Sequence, residues 1–145
     1  MPGAGFLEQN NKTRPSAVAG TVLVVEDDRA VRYLFTQVLR GHGYVVVACA
    51  DGARGLELAR AQIDRIDAIV TDARMPGIDG RELVAQIRPL RPALPILVVS
   101  GTLDESVVRA NTDPATRYLV KPVSPDRLIL ELRRAIDAAV PGNVR

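Results

Sequence analysis

Cysteine is almost missing from this chain of 145 residues: Cys49 stands alone, which excludes an internal disulfide framework and points to a reducing compartment. Cys49 reads as a small buried hydrophobe on a strand. Histidine is as scarce, and the lone His42, between Gly41 and Gly43, reads as part of a surface turn. No apolar run approaches the roughly 18 residues that span a membrane. The N-terminus lacks the basic stretch and apolar core of a secretory signal. A surplus of charge is lacking too: 19 basic against 17 acidic side chains leave +2, too balanced for a nucleic-acid or membrane surface. These absences describe a soluble protein, expected in the cytoplasm, with no direct nucleic-acid or membrane partner.

The content that remains is globular, 47% apolar and 25% charged, and long enough for one domain with a proper core. Residues 1–20 carry Gly3, Gly5, Pro15 and the polar run Glu8-Gln9-Asn10-Asn11-Lys12 without any apolar period, and read as a flexible arm. Residues 21–140 read as the domain and 141–145 as a tail. Strands are expected at 22–26, 44–49, 67–71, 95–100 and 117–121. Helices are expected at 29–40, after Asp51, at 80–88, near 104–110 and from Ser124-Pro125-Asp126 onward. The first helix is expected to bury Ala30, Val31, Leu34, Phe35, Val38 and Leu39; the second, Leu56, Ala59 and Ile63. The third is expected to bury Leu83, Val84 and Ile87, and the last, Leu128, Leu132, Ala135 and Ile136. Asp28, Asp51 and Asp79 fit helix N-caps. Five strand–helix units predict an α/β fold: a doubly wound, five-stranded parallel sheet of order 2-1-3-4-5, flavodoxin-like.

Each strand hands a polar residue to its carboxyl end, the rim where doubly wound sheets bind ligands. Val22-Leu23-Val24-Val25 runs into Glu26-Asp27, Ala68-Ile69-Val70-Thr71 into Asp72, Ile96-Leu97-Val98-Val99 into Ser100, and Tyr118-Leu119-Val120 into Lys121-Pro122. Glu26, Asp27 and Asp72 on neighbouring strands repel one another unless a cation compensates. Oxygen ligands without His or Cys call for a hard cation, Mg²⁺ or Mn²⁺. A carboxylate nucleophile (Asp72), a metal, an ammonium (Lys121) and a hydroxyl (Ser100) together suit phosphoryl transfer to aspartate.

These residues resemble the receiver domain of two-component response regulators over roughly 20–140. The resemblance rests on Glu26-Asp27, on Asp72 with Met75-Pro76 and Asp79-Gly80 behind it, on Ser100, and on Tyr118 with Lys121-Pro122. The spacings agree: 45 residues from Asp27 to Asp72 and 21 from Ser100 to Lys121. The resemblance implies a phosphohistidine donor on a histidine kinase or histidine phosphotransfer protein, and an acyl phosphate on Asp72. It implies metal binding by Asp27 and Asp72, by Glu26 through water and by the Arg74 backbone carbonyl, and a cis Lys121–Pro122 bond. Ser100 and Tyr118 match a hydroxyl–aromatic pair that moves on phosphorylation. Arg74 and Thr102, two residues past Asp72 and Ser100, stand where the lifetime of the phosphoryl group is tuned.

The chain departs from the family pattern between the fourth helix and fifth strand. Asn111-Thr112-Asp113-Pro114-Ala115-Thr116 replaces a Gly-Ala pair, and the helix before it is short and thin in apolar content, hence expected to be mobile. The whole reads as a single-domain regulator without an attached effector, not an enzyme beyond self-phosphorylation and slow self-dephosphorylation, signalling to an unidentified protein target. The leading Met1 favours a free-standing protein. The alternatives are a receiver segment of a hybrid histidine kinase, a phosphorelay intermediate, or a phosphate sink. An aspartyl-nucleophile phosphatase would need a second carboxylate where Arg74 stands.

Overall fold

The computed structural model describes residues 19–102 and 105–139. Most of the expected arm at 1–20 and all of the tail at 141–145 lie outside the described residues. Within them, β1 (Gly20–Val25), α1 (Arg29–Gly41), β2 (Tyr44–Cys49), α2 (Gly52–Ala61) and β3 (Ala68–Asp72) alternate. They are followed by α3 (Gly80–Ile87), β4 (Ile96–Ser100), α4 (Glu105–Ala110), β5 (Thr116–Val120) and α5 (Pro125–Ala139). All strand pairs are parallel, in the order β2-β1-β3-β4-β5. This is the expected doubly wound sheet, with its switch point between β1 and β3.

The central strands are continuous Val/Ile/Leu runs because helices cover both faces. Val22–Val25 and every residue of β3 and β4 are buried. The pleat divides them. Val22, Val24, Val70, Leu97 and Val99 pack with Phe35, Leu39, Leu128 and Leu132 on the α1/α5 side. Leu23, Val25, Ile69, Ile96 and Val98 pack with Leu56, Ala59, Leu83 and Ile87 on the α2/α3 side.

The aspartates expected as caps do cap: Asp28, Asp51 and Asp79 accept the amides of Val31, Arg54 and Glu82. Ser124 accepts from Arg127 before the Pro125 start of α5. The buried face of α1 is narrower than expected. Phe35 and Leu39 are buried and Val31 and Val38 pack partly, but Ala30 is exposed and Leu34 is 48% exposed. Thr36 is buried instead, its hydroxyl satisfied by donating to the Arg32 carbonyl at 2.8 Å. Ile63 lies beyond the end of α2, and Val84 and Ile136 are only half-buried, while α5 also buries Ile129.

α4 buries no side chain. The connection after it is nevertheless tied down. Asp113 accepts from Thr116 Oγ1 at 2.6 Å, from the Ala115 amide at 2.9 Å and from Arg88 Nε. Arg88 also donates to the Leu94 carbonyl at 2.7 Å and to Thr116 Oγ1 at 2.6 Å. Asn111 Nδ2 closes the turn on the Thr116 carbonyl at 3.0 Å. Burial works against ionisation of Asp113, but the donors from Thr116, Arg88 and Ala115 outweigh it and hold the carboxyl below its ordinary value. The residues that break the family pattern thus form a clasp between the end of α3 and the start of β5.

Candidate functional site

The sheet's hydrogen bonding continues one residue past three strands, and so registers the rim. Glu26 N–H reaches the Cys49 carbonyl at 3.1 Å, Ala73 N–H that of Val99 at 2.8 Å, and Lys121 N–H that of Ser100 at 2.7 Å. Glu26, 1% exposed, accepts from Lys121 Nζ at 2.8 Å through one oxygen and from the Asp28 amide at 3.0 Å through the other. The Lys121 ammonium also lies 3.5 Å from Asp72 Oδ1. Asp72 is the last residue of β3 and only 9% exposed, whereas Asp27 is exposed. One oxygen from each of Glu26, Asp27 and Asp72 lies within 4.8 Å of the others. The Lys121–Pro122 bond is cis.

Burial has the largest effect on Glu26 and raises its pKa; the bonds from Lys121 and Asp28 oppose the rise, and the Asp72 charge adds to it. Burial would depress the Lys121 pKa, but Glu26 and Asp72 outweigh it and hold the group above its ordinary value. One ammonium against three carboxylates leaves the rim anionic. A set of oxygen donors without imidazole or thiolate fits a hard divalent cation.

Ser100 ends β4, 3% exposed. Its hydroxyl donates to the Thr102 carbonyl at 2.6 Å and accepts the Thr102 amide at 3.3 Å, so it is engaged within its own loop rather than with the rim carboxylates. Ser100, Thr102, Arg74, Arg81 and Tyr118 line a cavity of about 440 Å³. Tyr118, half-buried against the α2/α3-side core, also lines a second cavity of about 560 Å³ beside Val107 and Asn111 of the α4 region. The structure therefore gathers Glu26, Asp27, Asp72 and Lys121 at one point, and Ser100, Thr102, Arg74 and Tyr118 around the adjoining cavity. His42 sits apart, as expected, at the C-terminus of α1 with Nδ1 3.0 Å from the Val38 carbonyl. Cys49 is buried on β2 and its thiol is pushed by burial up to about 11.

Two glycines press on the acceptor loop. A Cβ on Gly80 would stand 2.4 Å from the Asp72 carbonyl oxygen, and one on Gly52 would stand 1.9 Å from that of Ile78. The Gly80 amide donates to the Ala73 carbonyl at 3.0 Å. The sequence marks Asp51 and Asp79 as caps and Asp79-Gly80 as part of the acceptor motif, but not the close backbone approach that Gly52 and Gly80 each allow. The repeated Asp-Gly pair at two helix starts was the available signal. Beside Lys121 an apolar hollow of about 350 Å³ opens between Val31, Leu34 and Phe35 of α1 and Pro122-Val123.

The sequence model of the response regulator receiver domain matches residues 22–133. The chain is 38% identical over 123 residues to the response regulator MprA of Mycolicibacterium vanbaalenii, covering 84% of this chain and 52% of that protein. It is 34% identical over 118 residues to the DNA-binding transcriptional regulator NtrC of Escherichia coli, covering 81% of this chain and 25% of NtrC. The chain thus spans about half the length of the first relative and a quarter of the second. Among solved structures it resembles the Vibrio cholerae chemotaxis protein CheY4, with TM-score 0.72, 32% identity, and coverage of 80% of this chain and 98% of that one. It also resembles the receiver domain of the hybrid histidine kinase CckA, with TM-score 0.70, 31% identity, and coverage of 81% and 99%. With its sheet order, its rim and these likenesses agreeing, the chain belongs to the response regulator receiver domain family.

Proposed function

We propose that Asp72 accepts a phosphoryl group from a phosphohistidine of a histidine kinase or phosphotransfer protein, and that the phosphorylated chain signals through protein contacts. The observation that carries this reading is the placement of Asp72 at the switch-point rim, 3.5 Å from the Lys121 ammonium and beside Glu26 and Asp27. An Asp72 oxygen attacks phosphorus in line. The new O–P bond forms as the N–P bond to the donor imidazole breaks, and the imidazole departs with the bonding electrons. Lys121 neutralises a phosphoryl oxygen, and Ser100 exchanges the Thr102 carbonyl for another as the acceptor of its hydroxyl proton. Asp27 and Asp72, with Glu26 through water and the Arg74 carbonyl, would hold Mg²⁺ or Mn²⁺, which when bound supplies Lewis-acid neutralisation of the phosphoryl oxygens.

Once Ser100 turns, the Tyr118 ring has the adjoining cavity to move into, and the α4–β5 face changes shape. Arg74 and Thr102 line that cavity and set the lifetime of the acyl phosphate; Arg74→Asn should change the self-dephosphorylation rate. No turnover beyond self-phosphorylation and slow hydrolysis is expected. The apolar hollow on α1 beside Lys121 suits a protein donor. Leu34→Asp should therefore slow transfer from that donor while leaving uptake from a small acyl phosphate intact.

The test is intact mass after incubation with Mg²⁺ and acetyl phosphate, for wild type and Asp72→Ala. One phosphoryl group on wild type only, abolished by chelation, supports the reading. Failure to take up either the phosphoryl group or beryllofluoride, its non-hydrolysing mimic, overturns it.

A further inference from the structure

Arg32, at the end of the first turn of α1, ties down the β1–α1 loop. Its Nη1 donates to the Glu26 carbonyl at 2.8 Å and lies 3.5 Å from the Asp27 carbonyl. The loop is held from its other edge by the Glu26 carboxylate, which accepts the Asp28 amide at 3.0 Å. Arg32 is itself fixed: its amide donates to the Asp28 carbonyl at 2.9 Å, and its carbonyl accepts from Thr36 Oγ1 at 2.8 Å.

The Asp27 carboxylate, by contrast, is exposed and has no hydrogen-bond partner or ion pair among the described residues. With no partner to hold the carboxylate, the backbone beneath it sets the range its rotamers can reach. That backbone is the segment Arg32 holds. We infer that Arg32 is a positioning residue: by clamping the Glu26 and Asp27 carbonyls it keeps the Asp27 carboxylate opposite Asp72 and Glu26, at the spacing a divalent cation needs. The inference rests on the reading above that these carboxylates hold the cation.

Charge alone argues the opposite sign. A guanidinium close to a cation site repels the cation, so removing it should tighten binding. Loss of a clamp should loosen binding, because groups that orient metal ligands typically contribute about 10–100-fold in affinity. The direction of the change therefore separates positioning from simple electrostatics.

The experiment is calorimetric titration of the full chain with Mg²⁺ for wild type, Arg32→Met and Arg32→Lys, with thermal melts beside it. Arg32→Met should bind Mg²⁺ about tenfold or more weakly, and Arg32→Lys should fall between, since an ammonium can still hold one carbonyl. The metal-free Asp28 amide should exchange faster in Arg32→Met. A role confined to fold stability would lower the melting midpoint and leave the affinity of the folded chain unchanged. Mg²⁺ affinity equal to or tighter than wild type, in either variant, overturns the proposal. Should Arg32→Met fail to fold, Arg32→Lys decides. A wild-type chain that binds no Mg²⁺ overturns the reading of the site itself, a result distinct from unchanged affinity in the variants.

Discussion

The Lys121 ammonium is nearer to Glu26 than to Asp72, 2.8 Å against 3.5 Å, and Glu26 is the more deeply buried acid. The cation therefore serves first to make a buried carboxylate tolerable, and only then leans on the acceptor. Lys121→Met strands Glu26. At pH 7 with chelator present, urea unfolding should show a loss of about 3 kcal/mol, because a buried charge is left without its partner. The Glu26 pKa is raised in the folded state, so its stabilising protonation is complete below the unfolded value of 4.5 and is lost as pH rises through the folded value. The deficit should accordingly shrink below pH 4.5, and Glu26→Gln should rescue Lys121→Met. A deficit that ignores pH would sink this account.

Asp113 works in the other direction. Its pKa is lowered, so its contribution is present above the unfolded value of 3.8 and is lost as pH falls through the folded value. Asp113→Asn should cost about 2 kcal/mol at neutral pH, as expected for charge-assisted hydrogen bonds. The gap between wild type and variant should close in acid. Denaturant midpoints measured from pH 7 down to pH 3 provide the check.

Gly80→Ala should move the Asp72 loop, since backbone rather than a flexible side chain stands in the way. A loss of about 1–3 kcal/mol is expected, with a lower yield of beryllofluoride adduct in the protein that remains folded. Gly101→Ala is the control. Nothing lies within 4 Å of its added Cβ, and stability should stay within about 0.5 kcal/mol.

α4 should open on its own. It buries no side chain and Val108 is 42% exposed, whereas β4 is buried throughout. Amides of residues 105–110 should exchange orders of magnitude faster than those of 96–100. Comparable protection in the two segments would refute this.

Much of the molecule was legible because its signals are local. Short apolar runs, capping aspartates and the polar residue after each strand are read within a few positions, and they gave the sheet order and the convergence of Glu26, Asp27, Asp72 and Lys121. What escaped depends on contacts distant in sequence. Leu34 has the right spacing to be buried, but Thr36 takes the buried side by bonding its own helix. The resting partner of Ser100 is a carbonyl two residues away, a choice that side-chain chemistry alone does not rank. Gly52 matters only because Ile78 folds over it. Arg88 looks like any solvated helix-end arginine until Asp113 and Thr116 close around it.

The ladder bonds that run past the strand ends make the sheet a measuring instrument. Parallel strands lie about 4.8 Å apart, and the Glu26, Asp27 and Asp72 oxygens converge within 4.8 Å from the adjacent strands β1 and β3. Backbone pitch thus sets the coarse gauge of the site, and the side chains that hold the β1–α1 loop adjust it from there. Side-chain length is a further dimension. Lengthening Asp27 or Asp72 by one methylene changes the gap as surely as cutting a part to the wrong size, however conservative the chemistry.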